Sequence, residues 1–176
     1  RRLPSGNLVG AGDILILLRK RGRFFELLLS ALQVANVQVA GADRMQLAEQ
    51  IEIQDLLALG DVMHLADDNL QLAAVLKSPL FAMSEDQLYE LAYDRGKASL
   101  MSRLMAHRGA DGALGKMADQ LARWQSRAEY ESVFGFFSFV LVDGGRQKFR
   151  ERLGRAVDES LDHFLNLAQN FALGGG

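Results

Sequence analysis

The sequence has no cysteine and only two prolines, Pro4 and Pro79. Without cysteine the chain can form no disulfide, no thiolate zinc site and no cysteine nucleophile, which fits a reducing cytoplasm. Because proline interrupts helices, its scarcity permits long helical segments. No uninterrupted apolar run approaches the ~18 residues of a membrane-spanning helix, so we expect no membrane association.

Recognisable catalytic and metal-binding patterns are missing as well. The glycines at Gly10 and Gly12 are not followed by the GKT or GKS lysine of a phosphate loop. The three histidines lie in separate predicted elements, whereas zinc requires several convergent ligands. Asp67-Asp68 is better explained as a helix cap than as an acid–base pair. We therefore predict no catalytic residue, no metal site and no cofactor within this chain.

Charge is distributed unevenly along the chain. Residues 1–35 carry six basic and two acidic side chains, residues 36–94 carry two and eleven, and residues 95–176 carry twelve and nine. A nucleic-acid-binding domain is normally basic over its contact surface. Any DNA contact is therefore expected on the basic flanks, with the acidic middle facing solvent or protein.

The N-terminal third predicts a strand, a helix and a second strand. Ile14–Leu18 is a continuous aliphatic run, typical of a strand buried on both faces of a parallel sheet. Apolar residues then recur at helical spacing over Phe24–Ala35, and Val37-Gln38-Val39 alternates like a short edge strand. The basic cluster Arg19-Lys20-Arg21 follows the first strand. It lies either at the ligand-facing end of a sheet or in a solvated turn.

From residue 43 onward the pattern is helical. Two capping boxes are predicted, at Asp43/Gln46 and at Ser84/Gln87, and Ser78-Pro79 should end a helix. The phenylalanines at 134–139 favour core packing over a base-stacking platform, because their neighbours are aliphatic rather than basic. The predicted helices span residues 43–63, 70–77, 84–93, 99–107, 116–127, 133–142 and 146–171.

Several motifs resemble those of a known helicase family. Glu49–Leu57 (EQIEIQDLL) is similar to the ERxEIKDxL segment of UvrD-like superfamily 1 helicases. Asp67-Asp68-Asn69-Leu70, followed by LAAVLKSPLF and SEDQL, resembles the approach to the helical insertion of AddA-type subunits of double-strand-break-repair helicase–nucleases. GGRQKFRERLG and DHFLNLA extend this resemblance towards the C-terminus. The chain departs from the pattern at Gln50, at Gln54 and at Ala82-Met83-Ser84, where UvrD relatives have a GIG turn that touches duplex DNA.

The resemblance implies a mainly α segment that joins two domains of a larger motor. Residues 1–12 would be a flexible lead-in, 13–63 the edge of the second RecA-like motor domain with its strand–helix–strand portion, 64–173 a helical accessory domain, and 174–176 a flexible tail. A start at Arg1 without Met and a triple-glycine end also suggest a piece of a longer chain.

The resemblance also implies a function for the parent protein. That protein would be an ATP-dependent DNA helicase and exonuclease acting in double-strand-break repair and recombination in the bacterial cytoplasm. It would use ATP and Mg and work with a second helicase–nuclease subunit. This segment would position DNA through its phosphates, with Arg19, Arg21, Lys77 and Ser84 as the predicted contacts, and it should be inactive alone. The alternative is a helical protein-interaction module without a nucleic-acid role, in which the acidic helix 46–63 docks a partner.

Overall fold

The computed structural model describes residues 8–18, 23–37 and 47–174. They form two compact units, one within Arg1–Gln46 and one within Leu47–Gly176. The helix that ends at His64 packs within the second unit, and the domain boundary predicted after Met63 stays a prediction. The assignment of residues 13–63 to a motor domain remains a prediction.

The first unit contains a single described α-helix, α1 (Arg23–Val34), close to the helix predicted over 24–35. The strand predicted at Ile14–Leu18 is not formed. These residues are neither strand nor helix, and Leu15 and Leu17 are 81% and 84% exposed. A strand needs neighbouring strands to pair its backbone and cover its faces, and the described residues supply none to this segment. Of the second predicted strand, Val37 is irregular and the rest lies outside the described residues.

The second unit is entirely helical in its described part, which confirms the mainly α prediction. A π-helical turn, Leu141–Gly145, joins two of its helices. The helices are α2 (Ile51–His64), α3 (Asn69–Lys77), α4 (Glu85–Ala92), α5 (Leu100–Met105), α6 (Ala113–Ala128), α7 (Val133–Val140), α8 (Arg146–Leu153) and α9 (Val157–Gly174).

Local sequence explains where most of these helices begin and end. The Asp68 carboxylate accepts hydrogen bonds from the backbone N–H groups of Leu70 and Gln71, which caps α3 as predicted. Ser84 and Gln87 form the predicted capping box of α4. The Asp43/Gln46 box lies outside the described residues, and α2 begins at Ile51.

The C-terminal region differs from the single helix predicted over 146–171. The chain breaks at Gly154, whose φ of 88° lies in the left-handed region that favours glycine. Its N–H bonds the Arg150 carbonyl at 2.9 Å and so closes the end of α8. The result is two helices, α8 and α9, that pack against each other.

The core of the second unit is built from aliphatic side chains and a few aromatic rings. Trp124 and Phe149 are fully buried, and Phe81 meets Trp124 edge to face at 5.3 Å between ring centroids. Phe136 and Phe137 are buried in the same core, as the sequence predicted. Within the described residues, no helix is both long and apolar enough to cross a membrane.

Candidate nucleic-acid interface

The four predicted contact residues fall into two groups. Arg19 and Arg21 lie outside the described residues. Lys77 and Ser84 lie on either side of the turn that connects α3 to α4, which we call the loop 78–84. The geometry of this loop therefore decides what Lys77 and Ser84 can offer to a phosphate.

The loop 78–84 folds back tightly on the end of α3. Pro79 follows the last turn, and the buried Ser78 hydroxyl donates to the Val75 carbonyl at 2.7 Å. The Met83 N–H bonds the Leu76 carbonyl at 2.9 Å, which closes the loop. Ala82 takes a φ of 51°, a conformation that glycine adopts more easily. In the resemblance to UvrD-like helicases described above, Ala82 stands in the place of the first glycine of the GIG turn.

Lys77 is half exposed and already has an acidic partner. Its ammonium donates to the Glu85 carboxylate at the start of α4. As the basic residue in the last turn of α3, it also lies near the negative end of the helix dipole. A phosphate would have to share this ammonium with Glu85.

Ser84 acts as the N-cap of α4. Its hydroxyl accepts the Gln87 N–H at 3.2 Å, and its own N–H donates to the Gln87 side chain at 3.0 Å. The first turn of α4 carries Glu85 and Asp86. Because two carboxylates stand at this helix start, the local charge opposes an anion there. A phosphate contact through Ser84 remains a prediction.

A surface cleft of about 650 Å³ lies between the loop 78–84 and α8, and Lys77, Lys148 and Arg152 line it with Glu85 and Glu151. Lys148 donates to the Leu80 carbonyl and lies 5.7 Å from the centre of the Phe81 ring. Burial lowers the pKa of Lys148. This lysine therefore anchors the loop to α8 more than it offers a charge to solvent.

Helix α8 and the turn after it form a strongly basic segment of the second unit. Residues 146–155 contain five basic side chains and one acidic side chain. Arg146 bonds Asp158 at 3.1 Å and Asp162 at 2.6 Å, and Arg150 bonds both oxygens of Asp158 at 2.9 Å. These ion pairs join α8 to α9.

Arg152 and Arg155 differ from those arginines. Both are exposed, and neither forms an ion pair within the described ranges. We call Arg152 and Arg155 the α8 arginine pair. The sequence prediction missed them, although the run of basic residues at every second position from 146 to 152 was a usable signal. Two exposed guanidinium groups without acidic partners can bind phosphate oxygens.

The residues present do not fit the ATP and Mg that the resemblance implies for the parent. The sequence has no phosphate-loop lysine, and the described residues hold no group of three or more His, Cys, Asp or Glu side chains that could bind a metal ion.

Three curated proteins of one kind are similar to the chain. It is 26% identical over 161 residues to the AddA-type ATP-dependent helicase/nuclease protein of Thermoanaerobacter pseudethanolicus, and equally to that of Thermoanaerobacter sp. strain X514, over 89% of this chain and 13% of each relative. It is 28% identical over 126 residues to the corresponding protein of Acetivibrio thermocellus, over 69% of this chain and 10% of the relative. No family model matches the chain.

These alignments agree with the resemblance found in the motifs. The chain spans at most 13% of the length of the relatives it matches, so it corresponds to one segment of such a protein. Over most of its length, the chain matches an internal segment of an AddA-type ATP-dependent helicase/nuclease.

Proposed function

We propose that this chain is a helical segment of an ATP-dependent DNA helicase and nuclease that acts in double-strand-break repair and recombination. The observation that carries this proposal is the similarity to an AddA-type helicase/nuclease over 89% of the chain. The segment's share is to support DNA non-specifically, while other parts of the parent supply ATP hydrolysis, Mg binding and cleavage. A second helicase–nuclease subunit completes the assembly in the bacterial cytoplasm.

Within this proposal, DNA meets the second unit at the α8 arginine pair and at the cleft beside it. Arg152 lines the cleft that also contains Lys77, so the two side chains belong to one surface. The cleft's lining carries three basic side chains against the acidic Glu85 and Glu151, so its net charge is small. Contacts of this kind hold the phosphate backbone and cannot read bases, because a lone guanidinium or ammonium group meets the same phosphates in every sequence.

Residues 64–173 would then belong to the accessory domain of the parent, and residues 13–63 would lead into it from the motor domain. The basic residues Arg19 and Arg21 would supply further phosphate contacts at the motor edge. The acidic α2 is less suited to DNA, since its exposed face carries Asp61 and its apolar face packs into the second unit.

The proposal is tested by binding of the 176-residue chain to a fluorescent duplex with a single-stranded tail. Fluorescence anisotropy should show weak binding, with a Kd of about 10⁻⁴ to 10⁻⁶ M at physiological salt. The logarithm of the binding constant should fall linearly with the logarithm of salt concentration, by about 0.9 for each phosphate contacted. Binding of two unrelated DNA sequences should be equal.

A protein-interaction module without a nucleic-acid role is the second candidate function. It would show no salt-dependent DNA binding in the same experiment. Purified chain should also show no ATP turnover with or without DNA, because the sequence has no phosphate-loop lysine. Measurable turnover would contradict this expectation.

A further inference from the structure

A second pocket lies between the end of α2, the end of α6 and the start of α7. It has a volume of about 450 Å³, within the range of pockets that bind ligands or side chains. Its floor is apolar, with Met63, Phe136 and Phe137 among the lining side chains. We call it the Phe136 pocket. The cleft beside Lys77 shares no lining residue with it.

Three exposed apolar residues belong to the lining of the Phe136 pocket or are adjacent in sequence to it. Val133 lines it and is 50% exposed. Leu65 follows the lining residue His64 and is 61% exposed, and Tyr130 stands between two lining residues and is 86% exposed. Exposed apolar side chains next to a pocket that is partly lined by apolar groups are a feature of protein-binding sites.

The charged groups at the Phe136 pocket have one sign. Glu129 and Glu131 line it, and no lysine or arginine is among its lining residues. Arg127, which does not line the pocket, pairs with Glu131 at 2.9 Å. Its guanidinium also lies over the Phe139 ring, 4.7 Å from the ring centroid. Glu129 forms no ion pair in the part of the chain that the structure describes. Because Arg127 offsets the charge of Glu131, it is the charge of Glu129 that repels phosphate and attracts a cation at the margin.

We propose that the Phe136 pocket binds a segment of another protein that carries large apolar side chains with lysine or arginine beside them. The apolar side chains fill the pocket against Met63 and Phe136, and the cationic side chains meet Glu129 and Glu131. Methionine suits such a pocket because its flexible side chain adapts to apolar groups of different shapes. The site is independent of the proposed DNA surface, because it has the opposite charge and shares none of the cleft's lining residues.

Three synthetic peptides test this proposal on the whole 176-residue chain. The first is an amphipathic helix with Leu and Phe one turn apart, followed by Lys and Arg. The second replaces Lys and Arg by Glu, and the third replaces Leu and Phe by Ser. Only the first should bind, as measured by anisotropy. Equal binding of all three peptides, or of none, would overturn the proposal.

Two substitutions of exposed residues provide a matched pair. Val133→Asp places a charge at the pocket and should weaken binding of the first peptide more than about tenfold. Val142→Asp changes a valine that is 87% exposed and does not line the pocket, and it should leave binding unchanged. Glu129→Gln with Glu131→Gln should weaken binding about threefold and reduce its salt dependence. Equal effects of the two valine substitutions would contradict the assignment.

NMR spectra of the methionine methyl groups show where on the chain the first peptide binds. The Met63 methyl signal should shift when the first peptide is added, while that of Met83, beside the Lys77 cleft, should not. A shift at Met83 alone, or a Met63 shift produced by DNA instead of peptide, would overturn the proposal. Self-association of the chain that Val133→Asp abolishes would also overturn it, since the occupant would then be a second copy.

Discussion

The indole Nε1 of Trp124 donates a hydrogen bond to the Oδ2 of Asp143 at 3.1 Å. This bond joins the fully buried tryptophan of α6 to the π-helical turn between α7 and α8. Asp143 precedes Gly144, whose φ of 99° bends the chain at this turn. The position of the basic helix α8 therefore depends on a polar contact made by a core residue.

Removing this acceptor should destabilise the second unit. Asp143→Ala leaves the buried indole N–H without its partner and should lower the free energy of unfolding by about 2 kcal/mol. Arg123→Ala removes only the 2.7 Å ion pair that Asp143 also forms, and it should cost less than about 1 kcal/mol because that pair is solvated. Trp124 is the only tryptophan, so its fluorescence during urea unfolding measures both variants. Equal costs would show that the indole bond contributes nothing.

The raised pKa of Asp55 predicts that the protein becomes less stable as the pH rises through the weakly acidic range. Burial, with a smaller contribution from neighbouring Glu52, raises the pKa of Asp55 from 3.8 to about 6. The folded state therefore binds this proton more tightly than the unfolded state does. The contribution of Asp55 to stability falls as the pH rises from about 4 to about 6 and stays unfavourable above that.

Asp55→Asn should accordingly stabilise the fold at neutral pH. We expect a gain of about 1 kcal/mol at pH 7, after allowing for partial solvent screening, and almost none near pH 4. Asp61→Asn is the control, since Asp61 is exposed on the same helix. Urea unfolding at both pH values measures the difference. A gain from Asp55→Asn that is the same at both pH values would contradict the raised pKa.

The backbone conformation of Ala82 predicts that its substitution by glycine stabilises the protein. Its φ of 51° is strained for an alanine, and glycine relieves that strain, so Ala82→Gly should stabilise the protein by up to about 1 kcal/mol. Ala74→Gly, at an exposed position inside α3, should instead cost about 1 kcal/mol. Thermal unfolding of the two variants gives the comparison. Destabilisation by both would mean that the loop is not held in the left-handed conformation.

The helix caps could be predicted from sequence because they depend on neighbouring residues. Asp68 and Ser84 bond backbone groups two or three positions away, and Pro79 acts on the residue before it. The break at Gly154 was missed because apolar residues continue at helical spacing on both sides of it, from Phe149 to Val157. The sequence pattern does not show whether a glycine within it adopts a helical φ or a left-handed one.

Long-range contacts were the main source of error. Glu52 belongs to the acidic middle of the chain, which was predicted to face solvent or protein, yet its side chain is buried and accepts a hydrogen bond from the Ser160 hydroxyl of α9. Nothing near Glu52 in sequence indicates that partner. The aliphatic run at Ile14–Leu18 predicted a strand, but a strand forms only where other strands can pair with it.

The residues of the candidate DNA-binding surface could also be predicted only in part, because their ion pairs depend on contacts between distant segments. Lys77 was predicted as a contact from the family resemblance and is one of only two basic residues in the acidic region 36–94. Its pairing with Glu85 could be seen only in the folded loop. The ion pairs of Arg146 and Arg150 with α9 separate those residues from Arg152 and Arg155. That distinction depends on how α8 packs and could not be obtained from a count of basic residues.

We propose that the second unit binds DNA phosphates through the α8 arginine pair, Arg152 and Arg155. The most direct test is the salt dependence of DNA binding for Arg152→Ala/Arg155→Ala beside Lys97→Ala/Arg103→Ala, which removes two exposed cations elsewhere. For the first double variant, we expect the slope of log K against log salt concentration to be smaller in magnitude by about 1.8, which corresponds to the loss of two phosphate contacts. The control should keep the slope of the unmodified chain. Equal slopes for the two double variants, or no salt-dependent binding by the unmodified chain, would contradict the claim.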